Sequence, residues 1–484
     1  MEPRSIFANL SPLDHRYSLS NPQLFDRLSA FLSEEASVRY CLRVELALLT
    51  TLLSQITNRG DAEELIRRSE ADVAAIPPQE VYDEEERTHH NIRALVNVMK
   101  RHLPREARPY VHLGATSADI LDTASSLRCR DATQQVLIPV LVDLEEALVR
   151  RAREEADTPQ IGRTHGQHAV PITFGFALAE YVSRLGKCIE RVVRKAGNLR
   201  GKLAGAVGAY NATSLIVKDP RLLERDFLAS LGLEPSEHST QLIEPEYLLE
   251  LLLEINTAFG VIANLSDDLR HLQRSEIDEV REEFTEAQVG SSTMPQKRNP
   301  WNSEHVKSLW KEFSPRVVTF FMDQISEHQR DLTNSASARF VAEYLAGFAS
   351  AAVRMTSVVR SLVIDRPRMR ENLKRAGELI FAEPLYILMA LGGDSEAHEG
   401  VRKATLTAEQ TGEKLTNLLR KDRVVWDALG RQLALSRGED ADVFFSDPAN
   451  YRGIAAEQAR SLADKYADVC ARIRKEHTGS WTQF

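Results

Sequence analysis

A chain of 484 residues, 43% of them hydrophobic, carries more apolar side chain than one ordinary core uses, so two or three domains are expected. A formal net charge of −9 and a pI near 5.9 exclude a protein that lives mainly by phosphate contacts to nucleic acid, and any anionic ligand must be small and held locally. Cys41, Cys129, Cys188 and Cys470 lie far apart, with no CxxC and no Cys/His spacing that makes a zinc site.

A reducing, cytoplasmic setting is the plain inference from those cysteines. No apolar leader follows Met1, and nowhere do eighteen charge-free residues run together. A soluble, unexported protein with no membrane partner is expected.

Residues 1–22 read as an irregular arm with Arg16 and Tyr17 in SPLDHRY. From about 23 to 103 the pattern is helical: Leu42, Leu46, Leu49, Leu53 and Ile56 recur at steps of four, three, four and three, interrupted once at Pro77 and Pro78. An acidic run at 83–86 leads into Thr88, His89, His90 and Asn91, which read either as a solvated helix face or as a functional cluster. In HLGATSADILDTA, Thr116 and Ser117 precede Asp119 and an apolar run, the signature of a helix start whose free N–H groups also suit a carboxylate.

Leu137, Leu141, Leu144 and Leu148 mark one face of a long helix, and similar patterns recur near 170–200, 220–280 and 303–365. Strand signals are sparse, without βαβ spacing, and GAVGAY at 205–210 lacks the spacing of a phosphate loop. Between helices, IGRTHGQHAVP at 161–171 reads as a loop in which glycines surround Thr164, His165 and Gln167. RDLTNSASAR at 330–339 spaces Ser335 and Arg339 four apart; with Arg330 they read as a phosphate site or as a surface ion-pair face. Beyond Pro367 the helices are shorter, with loops expected at Gly392 and Gly393 and around 436–442.

QVGSSTMPQKRNPWNSEH at 288–305 is the most structured loop in the sequence. Gly290, Pro295 and Pro300 shape it, Ser291 and Ser292 supply hydroxyls, and Lys297 and Asn299 are a cation and an amide that suit a carboxylate. It reads as a solvated turn or as acid–base machinery beside a carboxylate.

GSSTMPQKRNP resembles the signature loop of the fumarase/aspartase superfamily. SPLDHRY, GATSADILDTA, GRTHGQ, GAVGAYNA, TQLIEPEY, RDLTNS and DPANYRG resemble, in order, segments of its adenylosuccinate lyase family. The resemblance implies an all-α, three-domain fold divided at 1–112, 113–365 and 366–484, with a long central helical bundle assembled into a homotetramer whose active sites are shared between subunits. It implies β-elimination of fumarate from a purine nucleotide, with Ser291 as general base, His165 as general acid and Glu304 orienting it. Lys297 and Asn299 then steady the developing carboxylate charge, and His90 belongs to the catalytic set.

By the same resemblance Thr116, Ser117, Thr164 and Gln241 hold the succinyl group, His89 and Asn91 address the ligand, and Arg16, Tyr17, Arg330, Ser335 and Arg339 take the phosphate. No metal or organic cofactor is implied, because both halves of the elimination are proton transfers. Two positions depart from the family pattern, with Asn91 and Asn334 where aspartate is usual. The alternatives are another fumarate-releasing enzyme of the argininosuccinate lyase type and a catalytically silent structural paralogue.

Overall fold

The computed structural model describes residues 5–56, 59–284 and 293–476. Its largest apolar core is a bundle of long helices, Ile138–Glu154, Phe174–Gly197, Glu246–Leu272, Trp301–Phe313 and Val341–Ser361, joined by the last described helix, Ala455–Glu476. Leu137, Leu141, Leu144 and Leu148 are fully buried there, as their spacing requires. Glu246–Leu272 is the one described helix long and apolar enough to cross a membrane, and its Leu252, Ile255, Phe259, Ile262 and Leu265 are packed into the bundle.

The helix that begins at Ser117 runs without a break into Ile138–Glu154 through one wide turn at Thr133–Leu137. Pro139 explains the widening. It has no N–H to donate to the Gln135 carbonyl one turn earlier and its ring crowds that oxygen, so the ladder shifts register. The Arg27 guanidinium donates to the Gln135 carbonyl instead.

A second core joins Glu34–Ile56, Arg59–Ala74, Pro78–Thr88, Asn91–His102 and Pro220–Ser230, and a third lies among the short helices between 378 and 445. The helical pattern expected over 23–103 is present but broken more often than at the proline pair. Ser33 separates Pro22–Leu32 from Glu34–Ile56, and His89 ends Pro78–Thr88 in a left-handed conformation at φ 52°. The stretch near 220–280 is likewise two helices, Pro220–Ser230 and Glu246–Leu272.

The stretch near 303–365 is also interrupted. Between Met322 and Val341 the chain turns, because Asn334 donates to the Asp323 carbonyl at 2.7 Å and Ser337 donates to the Asp323 carboxylate at 2.7 Å. Side chains that bond the backbone in this way compete with helix. Described strands are short and occur in three pairs, of which only one has more than two residues per strand.

Candidate active site

That longer pair carries His165. Strand β1, Pro159–Thr164, and strand β2, Gln167–Thr173, form an antiparallel hairpin with Thr164 opposite Gln167. The segment expected to be a loop is therefore a hairpin whose two tip residues, His165 at φ 53° and Gly166 at φ 74°, both take left-handed backbone. Two such residues in succession give the turn whose twist matches that of the strands. Thr164, His165 and Gln167 stand exposed at the tip.

The stem is fixed from below by one buried carboxylate. Glu279 accepts from Arg163 at 2.6 and 3.2 Å, from Gln160 at 2.8 Å and from Asn372 at 2.9 Å. Thr173 ends the hairpin by accepting from the Phe176 N–H at 3.2 Å, which starts the Phe174–Gly197 helix.

A second group forms at the start of the Ser117–Ala132 helix. Thr116 is its N-cap, and Asp119 closes the capping box by accepting from the Thr116 N–H at 2.8 Å, as the S/T-x-x-acid spacing suggests. The Gln241 amide donates to the Thr116 hydroxyl at 3.3 Å, and the Gln241 N–H donates to the Gln329 carbonyl at 3.3 Å, which brings Arg330 alongside. Asp122, one turn further along the same helix, accepts from the Ile243 N–H at 3.2 Å. Burial pushes its carboxyl up to about 6, against the pull of that N–H and of the Lys202 and Arg330 cations.

Thr116, Ser117, Gln241 and Arg330 are thus gathered within one chain, whereas the other candidates are spread around it. His90 is the exposed N-cap of Asn91–His102 and accepts from the Arg93 N–H at 3.2 Å; the Asn91 side chain accepts from the Ile92 N–H at 2.7 Å, and His89 is exposed beside them. Arg16 is exposed, while Tyr17 stacks on His305 with ring centroids 5.7 Å apart and its hydroxyl 2.9 Å from His305 Nε2. Burial, and then the Arg354 charge, hold His305 below the usual imidazole range.

Ser335 and Arg339 do not share an α-helical face. Ser335 lies in a turn and Arg339 in the tight helix Ser337–Phe340, because Asn334 and Ser337 bond back to Asp323. Lys297 is exposed, Asn299 is half-buried, and Glu304 is exposed on the first turn of Trp301–Phe313. Ser291 lies outside the described residues. Among the described residues no hydrogen bond or ion pair within the chain joins His165 to Glu304 or either to His90.

The comparisons with known proteins bear on what this arrangement serves. The family model described as Lyase matches residues 55–311, and the one described as Adenylosuccinate lyase C-terminal matches residues 326–437. Adenylosuccinate lyase of Pyrococcus abyssi is 32% identical over 458 residues, covering 94% of this chain and 97% of that one. The chain belongs to the adenylosuccinate lyase family.

Adenylosuccinate lyase of Deinococcus radiodurans is 31% identical over 408 residues, 82% of this chain and 92% of that one. Among solved structures, a fumarate lyase from Mesorhizobium sp. BNC1 superposes with a TM-score of 0.74 at 24% identity, over 91% of this chain and 97% of that one. The 3-carboxy-cis,cis-muconate lactonizing enzyme of Pseudomonas putida gives 0.74 at 24%, over 93% and 97%. At that identity the two likenesses show a shared fold. Membership of the adenylosuccinate lyase family makes the chain a lyase and accounts for motifs scattered from residue 11 to residue 453.

Asp119, Asp122, Lys202, Glu279 and His305 are positioned by the structure without having been candidates from the sequence. Asp119 alone had a local signal, its place three residues after Thr116.

Proposed function

We propose that this chain eliminates fumarate from adenylosuccinate, leaving AMP, and from the succinyl-carboxamide imidazole ribotide in the same way. The observation that carries the reading is the pair of family matches, the second of them specific to adenylosuccinate lyases, together with such relatives aligned over nearly the whole chain. The C-terminal match also disfavours the argininosuccinate lyase alternative.

In this reading Ser291 takes the proton from the carbon beside a succinyl carboxylate, the C–N bond breaks, and His165 delivers a proton to the departing nitrogen. Lys297 and Asn299 steady the charge that builds on the carboxylate; one such donor is worth about 3 kcal/mol of barrier. Glu304 orients His165, and His90 completes the catalytic set. Thr116, Ser117, Thr164 and Gln241 grip the succinyl group, and the contact between Gln241 and Thr116 supports that role. His89 and Asn91 address the ligand, and Arg16, Tyr17, Arg330, Ser335 and Arg339 meet the phosphate.

The same proposal includes a homotetramer with shared sites. Exposed His90, His165 and Glu304 on separate elements support it, since shared sites in an assembly are a way to bring such residues together. It includes the division at 1–112, 113–365 and 366–484; three apolar clusters support three units, although Pro220–Ser230 packs with the first, and Leu13, Leu24, Leu28 and Ala455–Glu476 pack on the central bundle. A cytoplasmic location is supported by four free, buried cysteines.

Purified protein given adenylosuccinate, the imidazole ribotide and argininosuccinate in parallel, followed by ultraviolet absorbance and sized by light scattering, tests the whole reading. Turnover of both purine substrates by a tetramer is expected. Turnover of argininosuccinate alone refutes it.

A further inference from the structure

We infer that the buried Asp119–Lys202 pair is a positioning device that holds Thr116 and Gln241 against each other at the proposed succinyl-binding position. Both side chains are fully buried, and together they join two parts of the chain 83 residues apart. One Asp119 oxygen accepts from the Thr116 N–H at 2.8 Å. The other accepts from the Lys202 ammonium, from the Ala204 N–H at 3.1 Å and from the Gly205 N–H at 3.3 Å. Lys202 is pinned in turn, its N–H donating to Thr123 at 3.1 Å and its ammonium to the Gly205 carbonyl at 3.4 Å.

The carboxylate therefore ties the first turn of the Ser117–Ala132 helix to the 202–205 segment. That segment leads into a loop which presses on the residues before Gln241. Gly208, at φ 77°, lies so close to them that a Cβ there would sit 1.8 Å from the Ser239 carbonyl oxygen, leaving no room for any side chain. From Ser239 the chain runs two residues to Gln241, which donates to Thr116 and closes the circuit. A second carboxylate braces the outer side of the loop: Glu224 accepts from the Leu203 N–H at 2.7 Å and from the Tyr210 hydroxyl at 2.6 Å.

A surface pair of this kind contributes little to stability, and a buried one is weak evidence for stability because desolvation offsets the attraction. What this pair does supply is direction: four donors converge on one residue, one of them from Thr116 itself and three from the 202–205 segment, whose loop bears on Ser239 two residues before Gln241. The inference rests on the lyase reading for the identity of the substrate, and not for the coupling of the segments.

Two readouts separate these. In Asp119→Asn/Lys202→Met no buried charge is left unpaired, but the ion pair is lost and one amide oxygen stands in place of the two carboxylate acceptors. Hydrogen exchange measured by mass spectrometry is expected to accelerate at least tenfold at 239–243 as well as at 116–119 and 202–208. Acceleration confined to the last two segments overturns the inference, whether or not the protein has the proposed activity.

In the adenylosuccinate assay the same variant is expected to lose about a hundredfold in kcat/KM, the usual effect of misplacing contact groups by about 1 Å. Adding Gln241→Ala to it should cost less than threefold more, because Gln241 is already misplaced. A full multiplicative loss overturns the inference. If the double variant does not fold, Gly208→Ala, which leaves both charges in place, must raise exchange at 239–243 and KM by about tenfold; unchanged values overturn it.

Discussion

Glu279→Gln is the sharpest test of how the hairpin is held. Glu279 is fully buried and receives Arg163, Gln160 and Asn372, so the substitution leaves the Arg163 guanidinium, with only 18% of its side chain exposed, without its counter-charge. Removing one member of a buried pair costs about 3–5 kcal/mol. The lower end, about 3 kcal/mol, applies here because glutamine keeps one oxygen to accept from Arg163. With an unfolding entropy of about 2 cal/mol/K per residue over a chain of this length, that lowers Tm by about 3 °C.

The kinetic effect is larger than the thermal one. Arg163 is two residues from His165, and a tip displaced by about 1 Å should lower kcat on adenylosuccinate about a hundredfold. Scanning calorimetry and steady-state rates at saturating substrate check both numbers. A Tm within 1 °C of wild type together with kcat within twofold, margins set at roughly a third of the predicted thermal shift and far inside the kinetic one, refutes the role given to Glu279.

Ser291→Ala and His165→Ala should each lower kcat by about 10²–10⁴-fold with the oligomer intact by light scattering. Asp122, neutral in the fold until about pH 6, stabilises fully below the ordinary aspartate value of 3.8 and loses that contribution as pH rises through 6. Urea midpoints should therefore fall between pH 4 and 6 more steeply for wild type than for Asp122→Asn, and equal slopes count against the assignment. Asn91→Asp puts a carboxylate at the exposed start of Asn91–His102 and should change KM or kcat severalfold; identical constants would show that this departure from the family pattern is silent.

The helices were legible because their apolar positions repeat locally. Leu137, Leu141, Leu144 and Leu148 need no distant partner to declare a face, and Thr116 with Asp119 declares a helix start within four residues. What escaped was set by partners far along the chain. The strand pair at 159–173 is anchored by Glu279, 116 residues beyond Arg163, and nothing near GRTHGQ announces it. Lys202 reads as an ordinary surface lysine until Asp119 is seen to meet it 83 residues away. The break inside 303–365 depends on Asn334 and Ser337 turning back to Asp323, a choice that periodicity does not register.

The family motifs named a set of site residues, but their spacing carried no distances. Thr116 and Gln241 meet within one chain, whereas His165 and Glu304 have no described bond between them. That difference follows from which surfaces a single copy folds against itself.

The left-handed backbone at His165 has a consequence for anyone who varies that position. An L-residue held at φ 53° pays for its Cβ, about 1–2 kcal/mol for most side chains and less for asparagine, aspartate or histidine itself. A library at residue 165 is therefore sorted twice, by whether the tip closes and only afterwards by the proton delivery proposed for His165. Asparagine passes the first sieve and fails the second, which makes His165→Asn the replacement whose lost turnover speaks of chemistry alone.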